Sequence, residues 1–131
     1  MILRPGDYRD CWPRIRAGLE RILDEVGADW RPEDVYAELK AGRAALFFVG
    51  DDGFIVLQRG TTLDGRNEMF VLAVEGAGML KHYPAVYEEL EDLARKAGCS
   101  RLRHVSKHSQ WEGRFWTLTG HVYEHEVKKH D

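Results

Sequence analysis

The chain has 131 residues, 44% of them hydrophobic and 31% charged, with a formal net charge of −3. That size suits a single domain over residues 1–131 with a core of its own, and the composition reads as soluble and globular rather than disordered. The acidic balance argues against a dedicated nucleic-acid binder, whose footprint is basic, and no apolar run approaches the roughly 18 residues of a membrane span.

Met1 to Leu3 reads as a short edge strand stopped by Arg4-Pro5-Gly6. Asp7 or Asp10 can cap the helix that follows. Trp12, Ile15, Leu19, Ile22, Leu23 and Val26 then form a helical stripe, closed by Gly27. "RPEDVYAELKAG" is a second helix. Pro32 suits its first turn, Glu33 and Asp34 favour its N-terminal dipole, and Val35, Tyr36 and Leu39 give it one apolar face. "AALFFVG" and "GFIVLQRG" flank Asp51-Asp52-Gly53 and read as a hairpin. After the polar loop "TTLDGRN", the run "EMFVLAVEG" is a third strand, apolar enough to be covered on both faces.

The next stretch, "AVEGAGMLKHYP", carries Gly76 and Gly78 between that strand and a helix from about Lys81 to Lys96. Glycines at such a junction either cradle a phosphate on the helix N-terminus or make a tight turn at positive φ. "CSRLRHVS" is a short strand, "SQWEGRFWTL" a short helix, and the alternating "HVYEHEVKK" a last strand. Strand, helix, helix, three strands, helix, strand, helix, strand is an α+β or α/β-like order, with helices on the faces of a sheet.

This order resembles the GNAT fold of the N-acetyltransferases along nearly the whole chain. "ILRPGDYRDCWPRI" is similar to the opening strand and helix of that superfamily. "EMFVLAVEG" is similar to its acyl-CoA-carrying central strand, and "ELEDLARKAGCSRLRHVS" to the helix and strand that follow. The resemblance implies a central mixed, mostly antiparallel, twisted sheet flanked by helices. It implies acetyl-CoA or another acyl-CoA, with the pyrophosphate met by the backbone of Val74, Gly76, Ala77, Gly78, Met79, Leu80 and Lys81. The Arg or Gln that the family places three residues before the first glycine is Ala73 here. Glu68 or Glu75 takes the place of the catalytic base. The tyrosine that serves as acid on the family's last helix has no counterpart among Trp111, Phe115 and Trp116.

The tail is also similar to small GNAT-like proteins encoded by bacteriophages. Two functions follow. One is an N-acyltransferase acting on a small-molecule or protein amine. The other is a non-catalytic phage or prophage interaction or virion-associated protein, touching a protein partner through the Trp111 and Trp116 region. The N-terminus has no secretory h-region, and Cys11 and Cys99 read as buried thiols of a reducing compartment, so the bacterial host cytoplasm is expected. His104, His108, His121 and His125 lack the compact third and fourth ligands of a zinc site, and no metal is expected. Arg95, Lys96, Arg101, Arg103 and Lys107 read as a solvated basic edge.

Overall fold

A computed structural model of the protein describes residues 2–76, 82–105, 119–120 and 124–127. Eight elements occur among them: β1 (Leu3–Pro5), α1 (Trp12–Glu25), α2 (Pro32–Lys40), β2 (Ala44–Val49), β3 (Gly53–Thr61), β4 (Asn67–Glu75), α3 (Tyr83–Lys96) and β5 (Arg101–Arg103). The expected helix "SQWEGRFWTL" lies outside the described residues, as do Trp111 and Trp116. Of the expected last strand, residues 124–127 are described; they are exposed and belong to no strand.

The five strands lie in chain order, β1-β2-β3-β4-β5. Neighbours from β1 to β4 run antiparallel: β2–β3 and β3–β4 are joined by short turns, and β1 and β2 by way of α1 and α2. α3 is the crossover that returns the chain to the same edge, so β5 runs parallel to β4. The sheet is therefore mixed and mostly antiparallel.

Each face of the sheet carries a core. On one side Ile15 and Leu19 of α1 and Val35 and Leu39 of α2 pack on Leu46, Phe54, Val56 and Ala73. On the other, Val86, Tyr87, Leu90 and Ala94 of α3 pack on Leu3, Val49, Ile55, Leu57, Met69 and Val71. Burying one such aliphatic side chain contributes about 1.5–3 kcal/mol. With helices on both faces, no strand position on β3 from Gly53 to Leu57 needs a polar residue, and none has one.

Local chemistry sets the ends of the elements. α1 starts at Trp12 behind Cys11, which makes no side-chain cap bond, so neither Asp7 nor Asp10 caps it. Asp7 accepts the Arg9 backbone N–H at 2.9 Å instead, an Asx turn that competes with capping. α2 begins as expected: the Arg31 N–H donates to the Asp34 carboxylate at 2.8 Å. Gly18 brings α1 close to the sheet, since a Cβ there would lie 2.5 Å from the Phe54 ring. Glu89 of α3 reaches the opposite edge of the sheet. Its carboxylate accepts the N–H groups of Ile2 (2.8 and 3.0 Å) and Leu3 (2.8 Å), which ties β1 down. Among the described residues, no helix is long and apolar enough to cross a membrane.

Candidate functional site

The site is built from an irregularity in β4. Among the described residues, β5 accompanies β4 only through Glu68↔Arg101, Met69↔Leu102 and Phe70↔Arg103. The next position in register sets His104 against Val71. There a ring nitrogen replaces the strand, and His104 Nδ1 lies 3.0 Å from the Val71 carbonyl oxygen. One residue on, β4 bulges: Leu57 pairs with Val71 but Val56 pairs with Ala73, leaving Leu72 over.

A bulge bends its strand and strengthens the local twist. It also breaks the alternation of side chains. Met69, Val71 and Val74 pack toward α3, whereas Leu72 and Ala73 both pack toward α1 and α2. Glu75 therefore ends up on the α1 side. There Arg21 grips it in a two-pronged ion pair, Nε to Oε1 at 2.9 Å and Nη2 to Oε2 at 3.1 Å. The Glu75 side chain is 17% exposed and the Arg21 side chain 54%.

Beyond the bulge, Leu72 to Glu75 have β3 on one side and no strand on the other among the described residues. The chain then turns out of the sheet at Gly76, whose φ is +105°. A Cβ at Gly76 would lie 2.5 Å from the Gly53 Cα and 2.8 Å from the Asp52 carbonyl oxygen. Gly76 is thus a tight turn against the β2–β3 hairpin. Ala77, Gly78, Met79, Leu80 and Lys81 lie outside the described residues. α3 begins after them with no side-chain cap at His82 and no acidic residue in its first turn. The positive end of its dipole is not neutralised by the helix's own carboxylates.

Glu68 stands at the other end of β4, about 20 Å from Glu75 at roughly 3.3 Å per residue. It accepts hydrogen bonds from Arg101 (3.1 Å) and Arg103 (3.2 Å), and its side chain is 13% exposed. The two carboxylates cannot act on one reacting atom. A hollow of about 200 Å³ also lies at that far end, lined by Phe47, Leu57, Met69 and Leu93 together with Arg43 and Arg59. None of Leu72 to Gly76 lines it, so it is separate from the opening beside β4. Among the described residues, no three metal-ligating side chains meet. Arg21 and the ring contact of His104 escape a reading of the sequence. The first pairs across 54 positions, and the second depends on strand register.

No protein-family model matches the sequence, and no curated protein matches it. Solved structures do match in fold. A ribosomal-protein-alanine N-acetyltransferase from Brucella melitensis biovar Abortus 2308 is 18% identical with a TM-score of 0.64, over 97% of this chain and 100% of that one. An aminoglycoside N-acetyltransferase solved in complex with CoA is 13% identical with a TM-score of 0.62, over 97% and 99%. A Trypanosoma brucei acetyltransferase is 15% identical with a TM-score of 0.58, over 97% and 96%. At these identities the likeness speaks for architecture: the chain has an α+β GNAT fold.

Proposed function

We propose that the protein is an N-acyltransferase that takes an acyl-CoA, acetyl-CoA first, beside β4 and passes the acyl group to an amine. The observation that carries this reading is the parting of β4 from β5 after three paired positions. An acyl-CoA supplies an activated acyl group as a thioester. The residues present fit such a group. Among the described residues no second strand covers β4 from Leu72 to Glu75, and this edge offers peptide N–H and C=O groups that an extended amide-bearing chain can pair with, as an added strand would. Val74 and Gly76 lead into the loop Ala77, Gly78, Met79, Leu80 and Lys81, whose backbone N–H groups and lysine, with the start of α3, suit a pyrophosphate. Glu75 is a carboxylate at the mouth of this opening, where it attracts the ammonium form of an acceptor. Arg21 holds it in a two-pronged pair, and it serves as base once that pair opens. Glu68 we assign to holding β5 beside β4 through Arg101 and Arg103.

The acceptor is an amine on a small molecule or on a protein, the two kinds named for the solved structures of similar fold. A thermal-shift titration tests the reading. Acetyl-CoA at a hundredfold excess over Kd adds about 2.7 kcal/mol, or roughly 10 °C in Tm for a chain of this size. Gly78→Glu, which sets a carboxylate against the pyrophosphate, abolishes that shift. A wild-type Tm unmoved by millimolar acetyl-CoA sinks the proposal.

A second reading draws on Ala73. It is 2% exposed and packed against α1 and α2, so this position presents no cation to the loop. In that reading the chain is a non-catalytic GNAT-like interaction protein of phage or prophage origin, and acetyl-CoA leaves the Tm unchanged.

A further inference from the structure

The cover that α3 gives its face of the sheet runs out at one corner. Along β2 on that face Val49 is fully buried, Phe47 half-buried and Ala45 exposed. Along β3 Ile55 and Leu57 are buried, and Arg59, two positions on and on the same face, is exposed. The end of α3 sets Leu93 and Ala97, one helical turn apart and both half-buried, against this corner. Between helix and strands lies the hollow of about 200 Å³, with Phe47, Leu57 and Met69 on its sheet side.

The rim of the hollow carries a charge that the chain does not answer. Arg43 lines it too, but its guanidinium is held by Glu38, Nε at 3.0 Å and Nη2 at 3.1 Å. Among the described residues, the Arg59 guanidinium has no hydrogen bond, ion pair or ring contact. Every other described arginine has one. Arg4 donates to the Gly50 carbonyl, Arg9 donates to Tyr8, Arg14 lies over the Phe48 ring, and the rest pair with carboxylates. The carboxylates on the elements around the hollow are engaged elsewhere. Glu38 accepts from Arg43 and Gln58, Glu68 from Arg101 and Arg103, and Glu91 and Asp92 pair with Arg95 and Lys96. An unanswered cation beside an apolar hollow matches a ligand with one anionic head and an apolar body.

We propose that this corner binds a free medium-chain carboxylate. The carboxylate accepts two parallel N–H bonds from the planar fork of Arg59, and the chain lies along Phe47, Leu57 and Met69 against Leu93. Volume sets its length. A dry cavity of about 150 Å³ takes the six carbons of benzene, so a hollow of this size takes a chain of roughly eight. None of Leu72 to Gly76 lines the hollow, so the site is separate from the opening beside β4 and does not rest on the acyl-transfer reading.

Octanoate titrated into the full chain tests this, followed by amide and methyl spectra. A Kd of roughly 0.1–1 mM is expected for a ligand of this size. The shifts should gather at Leu57, Met69, Leu93 and Ala97, with nuclear Overhauser contacts from the ligand's methylenes to the Leu57 and Leu93 methyls. Acetate lacks the chain and octylammonium reverses the head, so each should bind at least about tenfold more weakly. Arg59→Gln keeps a polar side chain without the charge and should weaken octanoate by about tenfold. Saturating acetyl-CoA should leave the octanoate Kd unchanged. Octylammonium or acetate binding as tightly as octanoate overturns the proposal, as does unchanged affinity in Arg59→Gln. Shifts centred on Leu72 to Gly76, competition by acetyl-CoA, or no shift well above the expected Kd overturn it as well. If Arg59→Gln fails to fold, the three ligands and the contacts in the wild type still decide.

Discussion

At the scale of single residues, Gly76 separates two readings that its sequence context leaves open. Its φ of +105° and its contact with the backbone of Asp52 and Gly53 show a turn that requires glycine. Gly76→Ala should destabilise by more than about 1 kcal/mol, because an alanine is strained at this φ and its Cβ has no room. Thermal melting checks this, with a drop of roughly 3–6 °C per kcal/mol expected. A variant that melts with the wild type would show that the turn adapts. The loss would occur without any ligand, so it is independent of whether the next residues cradle an anion. The conformational demand at Gly76 was legible in the sequence as one of two options. The grip of Arg21 on Glu75 was not, since neither residue carries a local signal of the other.

At the scale of elements, α1, α2, β2, β3, β4 and α3 were legible nearly to their ends, because each has a clean apolar period and a turn residue at its close. The bulge in β4 was hidden by the same apolar richness that betrayed the strand. In "FVLAV" every residue suits either face, so a slip of one position leaves no trace in the pattern. What the slip decides is where Glu75 goes. The cap of α1 was misread because Asp7 spends its carboxylate on Arg9. At the other edge, β1 is three residues long and depends on a helix to hold it. Glu89→Ala removes the acceptor for the Ile2 and Leu3 amides. It should cost about 1.5–3 kcal/mol, the range for hydrogen bonds to a charged group, and hydrogen exchange should speed at those two amides first. Protection that stays unchanged there would mean that the pairing of β1 with β2 suffices.

At the scale of the whole molecule, the surface is laced with ion pairs, and these set its response to acid. The Glu33 carboxyl is held low by its own backbone N–H and by Arg16, and Asp34 by Arg31. Glu38 is held low by Arg43 and Gln58, Asp64 by Thr62 and Arg66, and Asp92 by Lys96 and Arg95. A carboxyl whose folded pKa is depressed favours folding above its unfolded value of about 4, and that contribution fades as pH falls through the folded pKa. The Tm should therefore hold from pH 7 to about 5 and decline toward pH 2.5. All five groups face solvent, so each effect is small, and 1 M NaCl should flatten the decline by screening the pairs beforehand. A Tm that is level across this range would show that the pairs do not matter to stability.

The chain-order sheet also has a consequence in time. Among the described residues, the core under α1 and α2 is complete in sequence at Ala73, whereas the core under α3 needs Leu102. As the polypeptide leaves the ribosome, Ile55, Leu57, Met69 and Val71 wait for their cover during about thirty further residues. At roughly 5–20 residues per second, that is a few seconds of bare apolar sheet in every newborn molecule. Slow synthesis through α3 would lengthen this interval, and a holding chaperone would find its target on that face.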